Sequence, residues 1–244
     1  MNNNYIYGKN AVNEFVENFP DRVIRIYVTS KEAREQYRAK ISDIKIVEKD
    51  FLDKILQTKN LTHQNIVLEY KQFNYKPFKE LSLKNKDNPK TFYLILDQIH
   101  DPYNFGAIIR SAVLMGVDGI IILDHRQVEV TPTVIKASGG TAFHMDICRV
   151  ANLANVIKIL KEEGFWIYSS NLNEKSQDFN EVKFDTKTTL ILGNENKGVG
   201  DKITKISDIN VHIPTLKVID SLNVSVAAGI LIFYIARELQ KISL

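Results

Sequence analysis

The sequence predicts an α/β protein with a mostly parallel sheet, preceded by a small N-terminal α/β domain. Strand-like and helix-like segments alternate along the 244 residues, which is typical of βαβ units. Residues 91–97 form a continuous apolar strand of the kind that is buried on both faces of a parallel sheet. The balance of 44% hydrophobic and 25% charged residues is that of a globular chain long enough for two domains.

The N-terminal seventy residues are predicted to form a compact α/β unit. Ser30 and Asp50 are expected to cap helices, because their side-chain oxygens can accept hydrogen bonds from the free N–H groups of a first turn. The predicted elements are a helix at 10–18, a strand at 22–29, a helix at 30–41, a strand at 44–47, a helix at 51–56 and a strand at 66–70.

Residues 71–90 are predicted to be a basic linker. They hold six lysines and two prolines, and their periodicity is poor. The aromatic residues Phe73, Tyr75 and Phe78 have two interpretations: they stack on nucleic-acid bases, or they pin the linker to a neighbouring domain.

Residues 91–244 are predicted to form the larger domain, and its last helix is its least usual element. Between Val226 and Ala236 that helix is apolar on all sides, which indicates complete burial. Asp220 or Ser221 is expected to cap it. The elements after the first strand are a helix near 108–113 ending at Gly116, a strand at 119–123, a short helix capped by Thr131, a helix at 150–163, strands at 165–169 and 188–192, a helix at 199–206, a strand at 211–213 and the helix at about 222–240.

Charge and composition limit the possible partners. The net charge of +3 is divided into +5 for residues 1–90 and −2 for residues 91–244, which suits a polyanion held mainly by one end. The alternative interpretation of this charge is a lysine-rich surface that only contacts solvent.

Three observations bear on localisation. Cys148 is the single cysteine, no apolar run approaches a membrane helix in length, and the start lacks the regions of a signal peptide. We therefore expect a soluble cytoplasmic protein with no membrane partner.

Two strand-to-helix junctions carry unusual chemistry and would share one edge of a parallel sheet. The first offers Asn104 as a helix cap and places Arg110 in an otherwise apolar helix, where an arginine needs an anion or a carboxylate. Phosphate binding and a buried salt bridge are its two interpretations. The second, residues 192–200, holds three glycines, which permit either close approach of a ligand or a plain turn.

A third junction brings Ser221, Asn223 and Ser225 to the start of the last helix, where they either cap the helix or meet a ligand.

The sequence lacks the motifs of several other kinds of functional site. The five histidines show no paired ligand spacing, so no metal is expected. Neither a Walker loop, a Gly-x-Gly-x-x-Gly fingerprint nor a Gly-x-Ser-x-Gly elbow is present.

Together the junctions resemble the SpoU (TrmH-type) RNA 2′-O-ribose methyltransferases of the SPOUT superfamily. The match is to Asp101-Pro-x-Asn-x-Gly-Ala-x-x-Arg-Ser-Ala112, to Leu192-Gly-x-Glu-x-x-Gly198, and to Ile213-Pro followed by Ser221-Leu-Asn-Val-Ser-x-Ala227. Ile6-Tyr-Gly-x-x-Ala-Val12 and His63-Gln64 resemble the family's small substrate-binding domain. The two-domain form is similar to the bacterial 23S rRNA guanosine 2′-O-methyltransferase subgroup.

The resemblance implies a C-terminal trefoil knot, in which the last helix threads a loop, and S-adenosylmethionine bound in that knot. It implies a homodimer that uses the last helix, with RNA as the partner and 23S rRNA as the expected one. Residues 1–70 would bind the RNA substrate, 71–90 would be the linker and 91–244 the methyltransferase domain. The expected activity is S-adenosylmethionine-dependent 2′-O-ribose methylation of a guanosine of 23S rRNA.

The resemblance also assigns site residues by position. Arg110 would grip the RNA phosphate and assist deprotonation; because an arginine is nearly always protonated, positioning is favoured over a role as literal base. The implied catalytic residues are Arg110, Asn104, Glu195, Ser221 and Asn223. The implied cofactor-binding residues are Leu192, Gly193, Asn194, Gly198, Ile213, Pro214, Leu222 and Ser225.

Two positions depart from the family pattern. Lys217 stands where a glycine is usual and could crowd the methionine end of the cofactor, whereas Asn65 replaces the glycine after His63-Gln64. Two alternatives to the expected function therefore stay open. The first is methylation of a tRNA ribose, and the second is a non-catalytic RNA-binding protein that has lost cofactor binding through Lys217.

Overall fold

A computed structural model describes residues 4–57, 63–194, 197–216 and 221–242. The described chain divides into two compact units. The first runs to Asn74 and also includes Val130–Gly140, and the second comprises Tyr75–Glu129 and the residues from Thr141 onward. Within these ranges no helix is both long enough and apolar enough to cross a membrane.

The first unit contains a four-stranded sheet in the order β1-β4-β2-β3. Strands β1 and β2 run antiparallel to β4, and β3 runs parallel to β2. Its elements are β1 (Asn4–Tyr7), α1 (Lys9–Asn18), β2 (Val23–Val28), α2 (Lys31–Tyr37), β3 (Ile44–Ile46), α3 (Lys49–Ile55), β4 (Ile66–Tyr70) and α6 (Pro132–Ala137). Ser30 caps α2 as expected, but Asp50 lies inside α3, whose cap position is Glu48.

The turn before β4 explains one departure from the family pattern. Asn65 has φ = 63°, a left-handed conformation that glycine adopts most easily and asparagine tolerates better than most residues. Its backbone N–H donates to Nδ1 of the buried His63 over 3.0 Å, and His63 Nε2 lies 3.3 Å from Asp53 Oδ1. Gln64 Oε1 accepts a hydrogen bond from Lys9 N over 2.7 Å and so caps α1 from a distance. The asparagine therefore preserves the turn that a glycine would form.

The segment predicted to be a linker contains a docked helix, α4 (Phe78–Asn85). Leu81 is 1% exposed, and it fills the space beneath Gly119, where an added Cβ would lie 2.7 Å from the Leu81 methyl groups. Phe78 packs against the same core, and the Tyr75 ring lies 5.0 Å from the Arg149 guanidinium carbon. These contacts favour pinning over base stacking for the aromatic residues of this segment.

The second unit is built on a seven-stranded sheet in the order β7-β6-β5-β10-β8-β11-β9, and every pairing in it is parallel. The mostly parallel α/β sheet predicted from the sequence is confirmed. The remaining elements are β5 (Thr91–Asp97), α5 (Pro102–Leu114), β6 (Gly119–Leu123), β7 (Ile147–Val150), α7 (Leu153–Glu162), β8 (Trp166–Ser170), β9 (Gln177–Asp178), β10 (Lys187–Gly193), α8 (Asp201–Ile206), β11 (Ile209–His212) and α9 (Val224–Glu238).

The predicted helix at 150–163 was wrong at its start, because Val150 belongs to β7. Asn152, two residues after that strand, caps α7, with its Oδ1 accepting a hydrogen bond from Ala154 N over 2.9 Å.

All seven residues of β5 are buried, as its apolar run predicts. Helices α4, α7 and α8 cover one face of the sheet, and α5 packs against α9, which in turn contacts β10. Strands β5 and β10 are thus central, and the loops at their carboxyl ends are adjacent.

We expect Leu81→Ala to lower the free energy of unfolding by about 2–5 kcal/mol, because it opens a cavity beneath Gly119. Leu83→Ala is the matched control, since Leu83 lies on the same helix but is 60% exposed, and its effect should stay within about 0.5 kcal/mol. Urea unfolding of both variants measures the difference. Equal effects would show that α4 is not docked.

Candidate active site

A cavity of about 380 Å³ lies at the carboxyl end of the parallel sheet in the second unit. This volume is within the range of roughly 300–1,000 Å³ that is typical of small-molecule sites. The predicted residues that line it are Leu192, Gly193, Asn194, Gly198, Ile213, Ser221 and Leu222. Pro214 and Ser225, also predicted to contact the cofactor, are not among the described residues that line it.

One wall of this cavity was not predicted from the sequence. Ser170 at the end of β8 and the next two residues, Asn171 and Leu172, line the cavity. The other lining residues that were not predicted are Lys197, His212, Thr215, Val224 and Ala227. Strand β8 lies directly between β10 and β11 in the sheet. Ligands of parallel sheets bind at the carboxyl ends of the strands, so the predicted strand at 165–169 offered the signal.

The turn after β10 closes on itself through two backbone hydrogen bonds. Asn194 N donates to Gly198 O over 3.1 Å, and Gly198 N donates to Asn194 O over 2.8 Å. Gly198 has φ = 66°, which a glycine adopts without strain. An added Cβ at Gly193 would lie 2.0 Å from the carbonyl carbon of Gly198, a distance that no side chain can occupy. Both glycines are therefore required by the turn. Glu195, the predicted catalytic residue at its tip, lies outside the described residues.

Buried polar groups fasten this turn to β5. The Asp97 carboxylate is 5% exposed, and its Oδ2 accepts a hydrogen bond from Gly200 N over 3.0 Å. Asn194 Nδ2 donates to Gln98 O over 2.9 Å, so both ends of the turn are tied to the end of the neighbouring strand. The turn is consequently held by the sheet as well as by its own backbone.

Asn171 fastens the same turn from the side of β8. Its Oδ1 accepts from Val199 N over 3.3 Å, and its Nδ2 donates to Thr204 Oγ1 over 2.9 Å and to Ser169 Oγ over 3.2 Å. A Cβ added at Gly198 would lie 3.2 Å from the Asn171 oxygen. The Asn171 side chain thus joins β8, the turn and α8 at the cavity wall.

The caps of the two helices at the site differ from those predicted. Asp101, not Asn104, caps α5, because its Oδ1 accepts from Tyr103 N over 2.9 Å and Pro102 opens the helix. Ser221 does not cap α9, and Asp220, the other predicted cap, lies outside the described residues. The cap is Asn223, and α9 is correspondingly shorter than the predicted 222–240.

Asn223 joins the first and third junctions. Its Oδ1 accepts from Ser225 N over 2.8 Å and from Val226 N over 3.4 Å, while its Nδ2 donates to Asn104 Oδ1 over 3.1 Å. The Ser225 hydroxyl also donates to Asn223 Oδ1, over 2.6 Å. Asn104 is buried in the first turn of α5. The Asn223 amide therefore has one orientation, which sets the start of α9 against α5.

Arg110 lies on the exposed side of α5, whereas its neighbours Ile109 and Ala112 are buried. Among the described residues it forms no ion pair, so the interpretation as a buried salt bridge finds no support there. Tyr103 and Leu114, seven and four residues away, are 67% and 66% exposed on the same side of the helix. Arg110 thus presents a guanidinium to solvent, as binding of an anion requires.

Neither a reactive cysteine nor a metal site is found among the described residues. Burial of the Cys148 thiol raises its pKa to about 12, so it stays protonated at neutral pH and is no nucleophile. No group of three or more His, Cys, Asp or Glu side chains that could hold a metal ion lies within those ranges.

We expect Gly193→Ala to destabilise the protein by about 1–3 kcal/mol, because the added methyl group collides with the backbone of residues 198–199. Gly229→Ala in α9 is the control, since no atom lies within 4 Å of its added Cβ. A helix-interior alanine there should be neutral or add about 0.5–1 kcal/mol. Chemical unfolding compares the two variants, and a Gly193→Ala protein as stable as wild type would refute the close approach.

Comparison with known proteins identifies both parts of the chain. Residues 91–233 match the model of the SpoU rRNA methylase family, and residues 5–76 match that of the RNA 2′-O ribose methyltransferase substrate-binding domain. A tRNA/rRNA methyltransferase of Borreliella burgdorferi, itself uncharacterized, is 42% identical over 82% of this chain and 91% of its own length. The uncharacterized tRNA/rRNA methyltransferase MG252 of Mycoplasma genitalium is 38% identical over 93% of this chain and 95% of its own.

Solved structures share the fold. The SpoU methyltransferase AviRb from Streptomyces viridochromogenes, in complex with AdoMet, superposes with a TM-score of 0.77 and 23% identity, covering 99% of this chain and 91% of that one. An AdoMet-bound rRNA methyltransferase from Sinorhizobium meliloti gives a TM-score of 0.75 and 23% identity, covering 98% and 88%. With both family models matched in order along it, the chain belongs to the SpoU family of RNA methyltransferases.

Proposed function

We propose that this protein transfers a methyl group from S-adenosylmethionine to a ribose 2′-hydroxyl of RNA, at a guanosine of 23S rRNA. The observation that carries the proposal is the position of Asn223. It lies between two residues that line the cavity, Leu222 and Val224, and its amide bonds to Asn104 on the helix that presents Arg110. The hydrogen bond between Asn223 and Asn104 thus joins the cavity to the helix that carries the exposed Arg110.

The cavity suits the cofactor that the family uses. S-adenosylmethionine supplies the methyl group on a positively charged sulfonium, which attracts an electron-rich oxygen. The lining combines apolar side chains such as Leu192 and Ile213 with the backbone of Gly193 and Gly198. Such a lining fits a nucleoside, because its rings need apolar contact and its edges need backbone partners.

The chain's own residues would position the reacting hydroxyl. A ribose hydroxyl is a weak nucleophile, so most of the gain comes from holding it in line with the methyl group. We assign Arg110 to the RNA phosphate, because its planar guanidinium binds phosphate oxygens in pairs. Asn104 and Asn223 are committed to each other and to the cap of α9, so we assign them positioning roles rather than contact with the substrate. Glu195 and Ser221 remain proposed partners of the hydroxyl.

RNA binding is proposed for the first unit, together with the basic segment that follows it. The match of residues 5–76 to the substrate-binding model supports this division, as does the charge of +5 on residues 1–90. Methyl transfer is assigned to residues 91–244. Family membership and the shared fold also support the trefoil knot, with the last helix threaded through a loop.

The substrate is tested with unmodified 23S rRNA and bulk tRNA incubated with isotope-labelled S-adenosylmethionine. We expect label in 23S rRNA, recovered after digestion as 2′-O-methylguanosine. Label in tRNA alone would favour the tRNA alternative. No label, together with no cofactor binding, would favour the non-catalytic RNA-binding protein, in which Lys217 obstructs the site; Lys217 lies outside the described residues.

In the same assay, Arg110→Ala should lower the methylation rate by about 10²-fold or more, because one transition-state contact is lost. Affinity for S-adenosylmethionine, measured by calorimetry, should change by less than about twofold, since Arg110 is not among the residues lining the cavity. Arg110→Lys keeps the charge without the planar fork and should recover only part of the rate. Parallel loss of cofactor binding and activity would contradict this role.

We also propose a homodimer that uses α9. The exposed apolar residues of this helix, Val226, Ile230 and Phe233, recur at helical spacing and are 50%, 37% and 42% exposed. The sequence predicts that the last helix is buried on all sides, and within one subunit this stripe is left uncovered. Covering it with a second copy removes apolar surface from water, and two copies of one surface imply two-fold symmetry.

Phe233→Glu should shift the protein from dimer to monomer in analytical ultracentrifugation and lower methylation, because a charge would be buried in the proposed interface. Ile232→Glu is unsuitable as a test, since Ile232 is fully buried within one subunit and its replacement would disrupt the fold. Glu238→Gln, on the exposed end of the same helix, serves as the control and should stay dimeric. A wild-type monomer with full activity would contradict the dimer.

A further inference from the structure

His212 ends β11 and lines the cavity, yet none of the motifs that identify the family includes it. Its Nδ1 lies 3.1 Å from the Ser176 hydroxyl oxygen. That hydroxyl also contacts Asn173 O at 2.7 Å, and it has a single proton to give. The partners of Ser176 therefore determine which ring nitrogen of His212 carries hydrogen.

The Ser176 proton must point at Asn173 O, because two oxygens 2.7 Å apart repel unless a hydrogen lies between them. Ser176 Oγ is then an acceptor towards His212, so His212 Nδ1 is the donor. A neutral imidazole carries one N–H, which leaves Nε2 as a bare acceptor. Among the described residues, Nε2 has no hydrogen-bond partner.

We infer that His212 Nε2 accepts a hydrogen bond from the nucleoside part of the cofactor and is a specificity-determining residue for cofactor binding. The inference rests on the proposal that this cavity takes S-adenosylmethionine. Adenosine carries an amino group and ribose hydroxyls, which are uncharged donors suited to a neutral acceptor. The cofactor's ammonium group is charged and would favour a carboxylate over a neutral imidazole.

Two substitutions separate the ring nitrogens of His212. In His212→Asn, the side-chain amide can still donate to Ser176 but cannot reach the position of Nε2. In His212→Gln, the amide oxygen reaches about as far as Nε2 and restores an acceptor there. His125→Asn is the matched control, because His125 is exposed and does not line the cavity.

Affinities are measured by calorimetry for S-adenosylmethionine, S-adenosylhomocysteine and 5′-methylthioadenosine, which lacks the amino-acid end. We expect His212→Asn to weaken all three about threefold to tenfold, the value of one hydrogen bond. His212→Gln and His125→Asn should stay within about twofold of wild type. Thermal unfolding should be unchanged in His212→Asn and His125→Asn, because the asparagine amide at position 212 keeps the bond to Ser176. A merely structural histidine would not allow this.

Three results would overturn the inference. Unchanged affinity in His212→Asn would show that Nε2 makes no contact, and a loss confined to the two ligands with an amino-acid end would place the contact outside the nucleoside. Nitrogen-15 spectra of histidine-labelled protein, assigned with His212→Gln, should show the Nδ1–H form, and an Nε2–H form would refute the tautomer. A wild-type protein that binds none of the ligands would reject the proposed function itself, which distinguishes that failure from an error about His212.

Discussion

The turn after β10 can close only because residue 193 has no side chain. Its two hydrogen bonds between Asn194 and Gly198 bring the backbone of residue 198 to within 2.0 Å of where a Cβ of residue 193 would lie. Asp97 and Asn171 then tie the closed turn to β5 and to β8. The shape of the cavity depends on this packing of backbone against backbone, which needs no flexible side chain and so leaves a wall that is formed before any ligand arrives.

Hydrogen bonds also hold the Asn223 amide and the His212 imidazole in fixed orientations elsewhere in the site. Asn223 uses its oxygen to cap α9 and its nitrogen to hold Asn104, so neither end of the amide can rotate without losing a bond. Ser176 fixes His212 in the same way through one hydroxyl proton. Polar groups whose partners are fully specified resist rearrangement, because each alternative leaves a donor or an acceptor unpaired. Arg110 contrasts with them, since it is exposed, which suits its proposed contact with a large anionic substrate.

The proposed division of work between the two units agrees with the way each unit is built. The first combines a mixed sheet with the basic end of the sequence, and its turn at His63-Gln64-Asn65 is held by contacts to Asp53 and Lys9. The second has a wholly parallel sheet, whose carboxyl edge collects the loops that carry chemistry. Methyl transfer to RNA needs both contacts to a polyanion and a shaped pocket for the cofactor.

The sequence by itself determined the parallel sheet and the three junctions, because apolar runs and glycine spacing are local properties of the chain. It also supplied seven of the fifteen described residues that line the cavity, through their match to the family's motifs. It misplaced both caps, since Asp101 and Asn223 compete with nearby polar residues and only the final backbone geometry chooses between them. It also missed α4, whose helix is stabilised by the burial of Leu81 beneath Gly119 rather than by its own periodicity. The wall at residues 170–172, the exposed stripe of α9 and the tautomer of His212 were decided by tertiary structure alone, because each depends on which distant segments the fold brings into contact.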